Sequence, residues 1–428
     1  MKNEIMKFPA PPGMKQATLW ALALAFSLTP TWTHAAHIDW CQTIAGAITN
    51  AGQTDTYTFS ASTGEAAVVC VGGMWPVFLA PTHYAAGDVY GPDGSRIGSC
   101  TNGLTPPLSL TNGTCTVCVH ADNYAATGSY GVTLSSGTGQ CGTAFDCLHT
   151  SGGAMTNAGQ MDTYTFFGSA GEVAVVCVGG PWPVFLAPTH YAAGDVYGPG
   201  GSRIGGCTNG ATPPLSLTKT GTHTVLVHAD DCDSLGSYGV GVSLHSVHQC
   251  GTTLPWGPTL AGTMTKVGEI DSYWFYAIAG AVGLVTVSGN DAVADVYGPD
   301  GSPIGSCTNG ATPLFSLTKS GTCTVLVHAA DYTATGGYGV SPVLTSWPAP
   351  WLAISTTNGA AALSVWGVIG NAYSIEYVTN FPHCGALLWS ALTPFTLTDF
   401  TLPYSPLTVL DPSSTNSPRR FYRVTPWP

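Results

Sequence analysis

The chain has 428 residues, enough for three or four domains of ~100 residues each. Only 8% of residues are charged, while Gly (54) and Pro (31) are abundant, which disfavours long helices and favours short strands joined by turns. The net charge of -12 comes from 11 basic and 23 acidic residues, and the one adjacent basic pair is Arg419 and Arg420, so the composition argues against nucleic acid as a partner.

The N-terminus has the pattern of a secretory signal over residues 1–36. Lys2, Lys7 and Lys15 precede an apolar run from Ala17 to Leu28, and small residues close it at Thr33–Ala36. The run is too short for a transmembrane span, and no later segment is apolar enough for one. The expected location is secreted, extracellular or at the cell surface, with no transmembrane segment once the signal is removed.

Internal repetition dominates the rest. "TDTYTF" at Thr54 returns as "MDTYTF" at Met161 and "IDSYWF" at Ile270. "DVYGPDGS" at Asp88 returns at Asp195 and Asp295, and "CTNG" recurs at Cys100, Cys207 and Cys307. "GTCTVCVHAD" at Gly113 returns at Gly221 and Gly321, and each copy closes with Gly-x-Tyr-Gly-Val. A period of about 100 residues suits one domain per copy. Tyr57 and Phe59 alternate with Thr56 and Thr58, the period of a strand with one face inward. "PDG" and "TNG" mark tight turns. The expectation is all-β: tandem antiparallel β-sandwich, jelly-roll-like domains at 37–143, 144–247 and 248–345. A linker and a small C-terminal β-sandwich follow at 346–428.

These motifs resemble the bacterial pre-peptidase C-terminal domain, in three tandem copies. The shared features are Gly-x-x-Asp-x-Tyr-x-Phe at Gly268–Phe275, the Tyr-x-Pro-Asp-Gly turn, the Gly-Thr-x-Thr-Val strand and the closing Gly-x-Tyr. Cys115, His223 and Cys323 replace the strand Tyr usual in that family. The resemblance implies secreted accessory β-sandwiches, often found beside a peptidase. The tail, with Tyr373-x-Ile375-Glu376, Trp389 and Phe421-Tyr422-Arg423, resembles the immunoglobulin- or fibronectin-like domains that end many secreted proteins of environmental bacteria.

Fourteen Cys in an exported chain point to an oxidising compartment. Recurrence suggests one disulfide per copy: Cys41–Cys100, Cys147–Cys207 and Cys250–Cys307. The rival reading makes these Cys small core residues. Cys70 and Cys177 occupy equivalent positions, and Cys118 has Leu226 and Leu326 as counterparts, which suits an apolar filler.

Signatures of catalysis are missing from the sequence. Of five Glu, Glu4 falls in the signal, Glu65 and Glu172 in Gly-Glu turns, and no His-Glu-x-x-His, Gly-x-Ser-x-Gly or phosphate loop occurs. The expectation is a non-enzyme without a cofactor, with calcium as the one possible ion. Asp88, Asp93, Asp295 and Asp300, around the Pro-Asp-Gly turns, are the calcium candidates. Turn geometry alone also explains these Asp, and Gly200 breaks the pattern in copy two. His120, His228 and His328 read as surface residues at strand ends. Asp55, Asp162 and Asp271 read as hydrogen-bonding to backbone at a strand start.

Copies one and two also share the loop "WPVFLAPTHYAAGDVYGP", which copy three shortens. Trp75, Phe78, His83 and Tyr84, with Trp182, Phe185, His190 and Tyr191, are the candidate ligand-binding residues, since exposed rings stack on sugars. The competing reading packs the loop on its own sandwich. The functional expectation is a secreted non-catalytic protein for extracellular binding or adhesion, to a polysaccharide or cell-surface matrix. The alternatives are a structural stalk, or an accessory subunit of a separate peptidase or hydrolase.

Overall fold

The structure is a computed structural model. It describes residues 35–75, 82–145, 150–182, 190–245, 251–277, 279–289, 291–346, 351–366, 372–379, 389–396, 407–416 and 419–426. The chain is all-β, and each repeat is a sandwich of two sheets.

In the first repeat the front sheet runs Ala36–His37, Thr54–Ala61, Gly113–Ala121, His83–Tyr90, Met74–Trp75, with Arg96–Thr101 also paired to His83–Tyr90. The back sheet runs Gln42–Ile48, Gly128–Ser136, Ala66–Gly72, Gly103–Leu104. Pairing is antiparallel except at one edge, where Ala36–His37 runs parallel to Thr54–Ala61. The second repeat repeats this order, and among the described residues the third has no counterpart of Met74–Trp75. The first strand of the second front sheet, Thr143–Ala144, starts one position before the expected boundary at 144.

Alternation sets the core. Tyr57, Phe59, Val117 and Val119 from the front sheet meet Val69, Val71, Tyr130 and Val132 from the back sheet. The recurring sequence motifs form a buried polar bolt across this core. Tyr57 and Tyr130 hydroxyls lie 2.6 Å apart, and Tyr130 donates to Asp55 at 2.7 Å. Tyr164, Tyr238 and Asp162 repeat the arrangement at 2.8 and 2.5 Å, as do Tyr273, Tyr338 and Asp271. The opening Asp-x-Tyr and closing Gly-x-Tyr of each copy are thus two halves of one network. The Asp55, Asp162 and Asp271 carboxylates, expected to bond backbone at the strand start, accept from a tyrosine side chain across the core.

The sandwiches stack face to face. The back sheet of repeat one lies on the front sheet of repeat two, burying Val68 and Cys70 against Met161, Tyr197, Leu226 and Cys232. The back sheet of repeat two meets repeat three in the same way, through Val175, Ile270, Tyr297 and Leu326. Glycines allow the approach. A Cβ on Gly72 or Gly131 would overlap the carbonyl oxygen of Cys232 or Ala158, and one on Gly239 would overlap that of Val267. Thr133 donates to the Gly159 carbonyl at 2.7 Å, and Ser135 and Thr163 hydroxyls sit 2.5 Å apart. Ser243 and Ser272 repeat the latter contact at 3.1 Å.

The disulfide expectations need correction. Cys41 bonds to Cys141, with Cα atoms 6.1 Å apart, and not to Cys100. Cys41 follows the edge strand, and its N–H donates to the Leu134 carbonyl at 2.7 Å. That places it beside the strand that leads to Cys141. Cys100, Cys207 and Cys307 are free thiols packed against the three cores, directed at the carbonyls of Val69, Val176 and Val285. They are the small core residues of the rival reading. Cys147 and Cys250 lie outside the described residues. In sequence, Cys250 precedes its edge strand as Cys141 does, and Cys147 follows one as Cys41 does.

The tail has two three-stranded sheets: Trp351–Thr357, Ala360–Trp366 and Leu407–Asp411, then Ser390–Thr396, Ala372–Val378 and Phe421–Pro426. Leu363, Val365 and Ile375 form its core. The residues that carried its resemblance converge. Buried Asp411 takes Arg420 and the Tyr422 hydroxyl, the latter at 2.8 Å. Arg423 pairs with Glu376 at 2.6 Å and lies 4.3 Å over the Trp389 ring.

Candidate functional site

The base of the repeated loop is a short hairpin, Trp75 opposite His83 in repeat one and Trp182 opposite His190 in repeat two. Trp75 is 8% exposed and Trp182 5%. Their indole N–H groups donate to the Ser129 and Ser237 carbonyls at 2.6 and 2.8 Å. Each ring lies on a glycine, Gly128 or Gly236, where any Cβ would overlap it. The expectation of exposed stacking tryptophans is therefore corrected: a large ring with one polar atom and a nearby carbonyl is satisfied in the core. Phe78 and Phe185 lie outside the described residues. Tyr84 and Tyr191 are partly buried.

The loop histidines are held by the turn after the "VHA" strand. His83 Nδ1 is 3.2 Å from Asp122, and the Asn123 amide is 3.1 Å from its other nitrogen. His190 Nδ1 lies 3.0 Å from Asp230 and 3.4 Å from Asp231. One ligand atom from each of these last three residues falls within 4.8 Å of the others, a donor set able to take a divalent cation. Asp231 is also committed to its own turn, accepting from the Asp233 and Ser234 N–H groups and the Ser234 hydroxyl.

A second recurring feature escaped the sequence reading. Asp88 and His120 belong to adjacent strands, and the carboxylate lies 3.5 Å from Nε2. The Asp195–His228 and Asp295–His328 distances are 3.7 and 3.1 Å. All three histidines are buried, at 7, 7 and 5% exposure, which corrects their assignment to the surface. Each Nδ1 faces the carbonyl of the following alanine, at 2.6 to 2.8 Å. Tyr124 and Tyr332 stack flat on His120 and His328 at 4.2 and 4.4 Å. The missed signal is the offset between strands: Asp88 pairs with Cys118, so His120 is its diagonal neighbour.

The calcium candidates are not gathered into one site. Asp88 is paired with Arg96 as well as His120, and Asp93 accepts from the Ser95 N–H and hydroxyl at 3.0 and 2.6 Å. Asp295 faces His328, and Asp300 takes Lys319 at 2.9 Å and the Ser302 hydroxyl at 2.6 Å.

The second copy differs chemically. Cys232 stands where Tyr124 and Tyr332 stand in the others, and all three share a left-handed backbone, with φ of 55, 55 and 58°. Burial opposes protonation of His228, but Asp195 and Cys232 outweigh it and hold the imidazole up to about 10. The neighbouring Cys70 thiol and His228 pull the Cys232 thiol down.

No family model matches this chain, and no curated protein matches it. Among solved structures, the CUB1-EGF-CUB2 domain of human MASP-1/3 aligns at 10% identity, covering 46% of this chain and 99% of that one, with a TM-score of 0.15. A laccase from Pediococcus acidilactici aligns at 8% identity over 74% of this chain and 93% of its own, with a TM-score of 0.12. E. coli alpha-2-macroglobulin aligns at 11% identity over 88% of this chain and 29% of its own, with a TM-score of 0.10. Among the described residues, no helix is long and apolar enough to cross a membrane.

Proposed function

We propose that the chain is a secreted, non-catalytic extracellular protein whose three sandwiches form a stiff spacer carrying the C-terminal β-domain. The observation that supports this most is the junction itself, used twice with equivalent residues and closed by glycine. A tether that only needed length would use flexible linkers, whereas buried faces and backbone-to-backbone contact fix orientation. The pre-peptidase-like motifs fit this reading, because the Asp, Tyr and Gly residues they contain serve the internal bolt and the turns.

Small-angle X-ray scattering on the full chain tests the proposal. The expected result is a single elongated particle whose maximum dimension stays constant with ionic strength. A distribution of dimensions typical of independently tumbling domains would sink it.

A second reading is supported by Tyr84 and Tyr191, partly accessible at the same place in two copies: adhesion to a polysaccharide through the loop. Retention on insoluble polysaccharide, lost in the Tyr84→Ala/Tyr191→Ala double variant with melting unchanged, would favour it. Absence of retention leaves the spacer alone.

A further inference from the structure

Cys70 projects from the strand Ala66–Gly72 on the face away from its own core. Cys232 lies in the turn after the strand Gly221–Ala229 of the next repeat. Both are buried, at 0 and 3% exposure, in one apolar cluster with Val68, Met161, Tyr197 and Leu226. Their thiols are neighbours in this cluster, one from each side of the junction. Two backbone contacts hold them there. The Cys232 carbonyl packs on Gly72, two residues from Cys70 on the same strand face, and the Asn102 amide donates to the Asp231 carbonyl at 2.8 Å.

We propose that Cys70 and Cys232 form a disulfide that staples the first sandwich to the second when the folding chain meets a disulfide oxidant.

The second junction shows what is special here. Cys177 occupies the place of Cys70, but it meets Tyr332, whose ring covers His328. Repeat two carries Cys in place of that tyrosine, which sets a second sulfur opposite the first while His228 stays buried. The neighbouring groups suit the exchange. Asp195, 3.7 Å away, favours the charged form of His228, and His228 with the Cys70 thiol favours the Cys232 thiolate. A metal ion fits less well, since Cys70, Cys232 and His228 do not bring three ligand atoms within 4.8 Å of one another.

The step balances with an external disulfide, RSSR, as the oxidant. The Cys232 thiolate attacks one sulfur, forming Cys232–S–S–R and releasing RS⁻. The Cys70 proton passes to that RS⁻ as RSH, and the Cys70 thiolate attacks the Cys232 sulfur. The second RS⁻ leaves and takes the proton held by His228. The protein dithiol is oxidised and RSSR is reduced to two RSH. Burial of both sulfurs places this step before the junction closes, or during its transient opening.

The test uses the full chain, reduced and then refolded with oxidised glutathione. It is alkylated in denaturant without reductant, digested and mapped by mass spectrometry. The expected result is a linked pair of peptides containing Cys70 and Cys232, with Cys177 alkylated. Alkylation of both Cys70 and Cys232, or linkage of either to a different cysteine, would overturn the proposal. Cys232→Tyr installs the residue that the other two repeats carry at this left-handed turn position. It should abolish the linked pair and leave Cys70 fully alkylated. Cys70 still blocked in a disulfide in that variant would also overturn it.

Discussion

The junction between repeats one and two and the junction between repeats two and three are the same design with different chemistry at two points. In both, a back sheet of Val, Cys, Gly and Ser lies on a front sheet carrying an Asp–His pair and a tyrosine. At the first junction the turn residue is Cys232 and the strand Gly128–Ser136 ends in small residues. At the second it is Tyr332, and His245 ends the strand Gly236–His245, its ring 4.8 Å from Tyr297. Close backbone contact is the shared requirement, and the groups around it are free to vary. Chemistry that differs between otherwise equal junctions is where sensitivity to redox state or pH can reside.

The harshest way to break the comparison is to remove what the junctions share. Gly131→Val places side-chain atoms in the Ala158 carbonyl of the next repeat, and Gly239→Val does the same to Val267. Neither backbone can retreat without opening its junction, so each variant should cost ~3 kcal/mol or more. Calorimetry should show the single transition of the stack splitting, with the loss assigned to one junction in each case. A stack that still melts as one unit in either variant would mean that the junction is not what couples the sandwiches.

A sharper cut uses acid. His245 is buried with both ring nitrogens unpartnered, and burial pushes its pKa down to about 4 from a usual 6.5. Between those values the unfolded chain binds the proton and the folded chain does not. Its contribution to stability is therefore complete above pH 6.5 and lost as pH falls towards 4, by ~3 kcal/mol. His245→Thr, which copies Thr345 of the third repeat, should flatten that acid slope at the second junction and leave the first unchanged. The measurement is melting temperature against pH for both proteins, and equal slopes would remove His245 as the cause.

The fold was legible because the repeats agree with one another. Three copies of the same alternation and the same turn tripeptides mark the strands well, and Trp75 appears in sequence as a loop residue only because its hairpin is two residues long. The arrangement of the repeats was not read from the sequence, but the stack accounts for a strand pattern that alternation does not. "AAVVCVG" at Ala66–Gly72 is apolar without alternation and buried throughout, as is Val173–Gly179, the pattern of strands covered on both faces. The third copy, Val282–Gly289, alternates between buried and partly exposed positions and ends the stack. The cysteine pairing was not legible, since recurrence cannot distinguish a thiol that fills a core from one that bonds. Cys41 finds Cys141 because two edges of the fold meet, a contact between residues far apart in sequence. The Asp–His pairs were hidden for a similar reason, since a diagonal across two strands depends on register.

The gentlest test compares the asparagines of the "TNG" turns, which do more than turn the chain. Asn102 and Asn209 both adopt a left-handed φ of 41°. Their side-chain oxygens accept from the Gly73 and Gly180 N–H groups at 2.9 and 3.1 Å. Their amides then reach the next repeat, Asn102 to the Asp231 carbonyl at 2.8 Å and Asn209 to the Asp331 carbonyl at 3.2 Å. Glycine tolerates the same backbone, so Asn102→Gly and Asn209→Gly remove the hydrogen bonds without steric strain. Each should cost ~1 kcal/mol, with the first junction losing more because its bond is shorter and partly buried. Asn309 has the equivalent local bond to the Gly289 N–H at 3.1 Å, so Asn309→Gly reports the cost of the turn alone. If all three variants lose the same stability, the amides contribute nothing across the junctions, and the glycine-floored faces hold the stack without them.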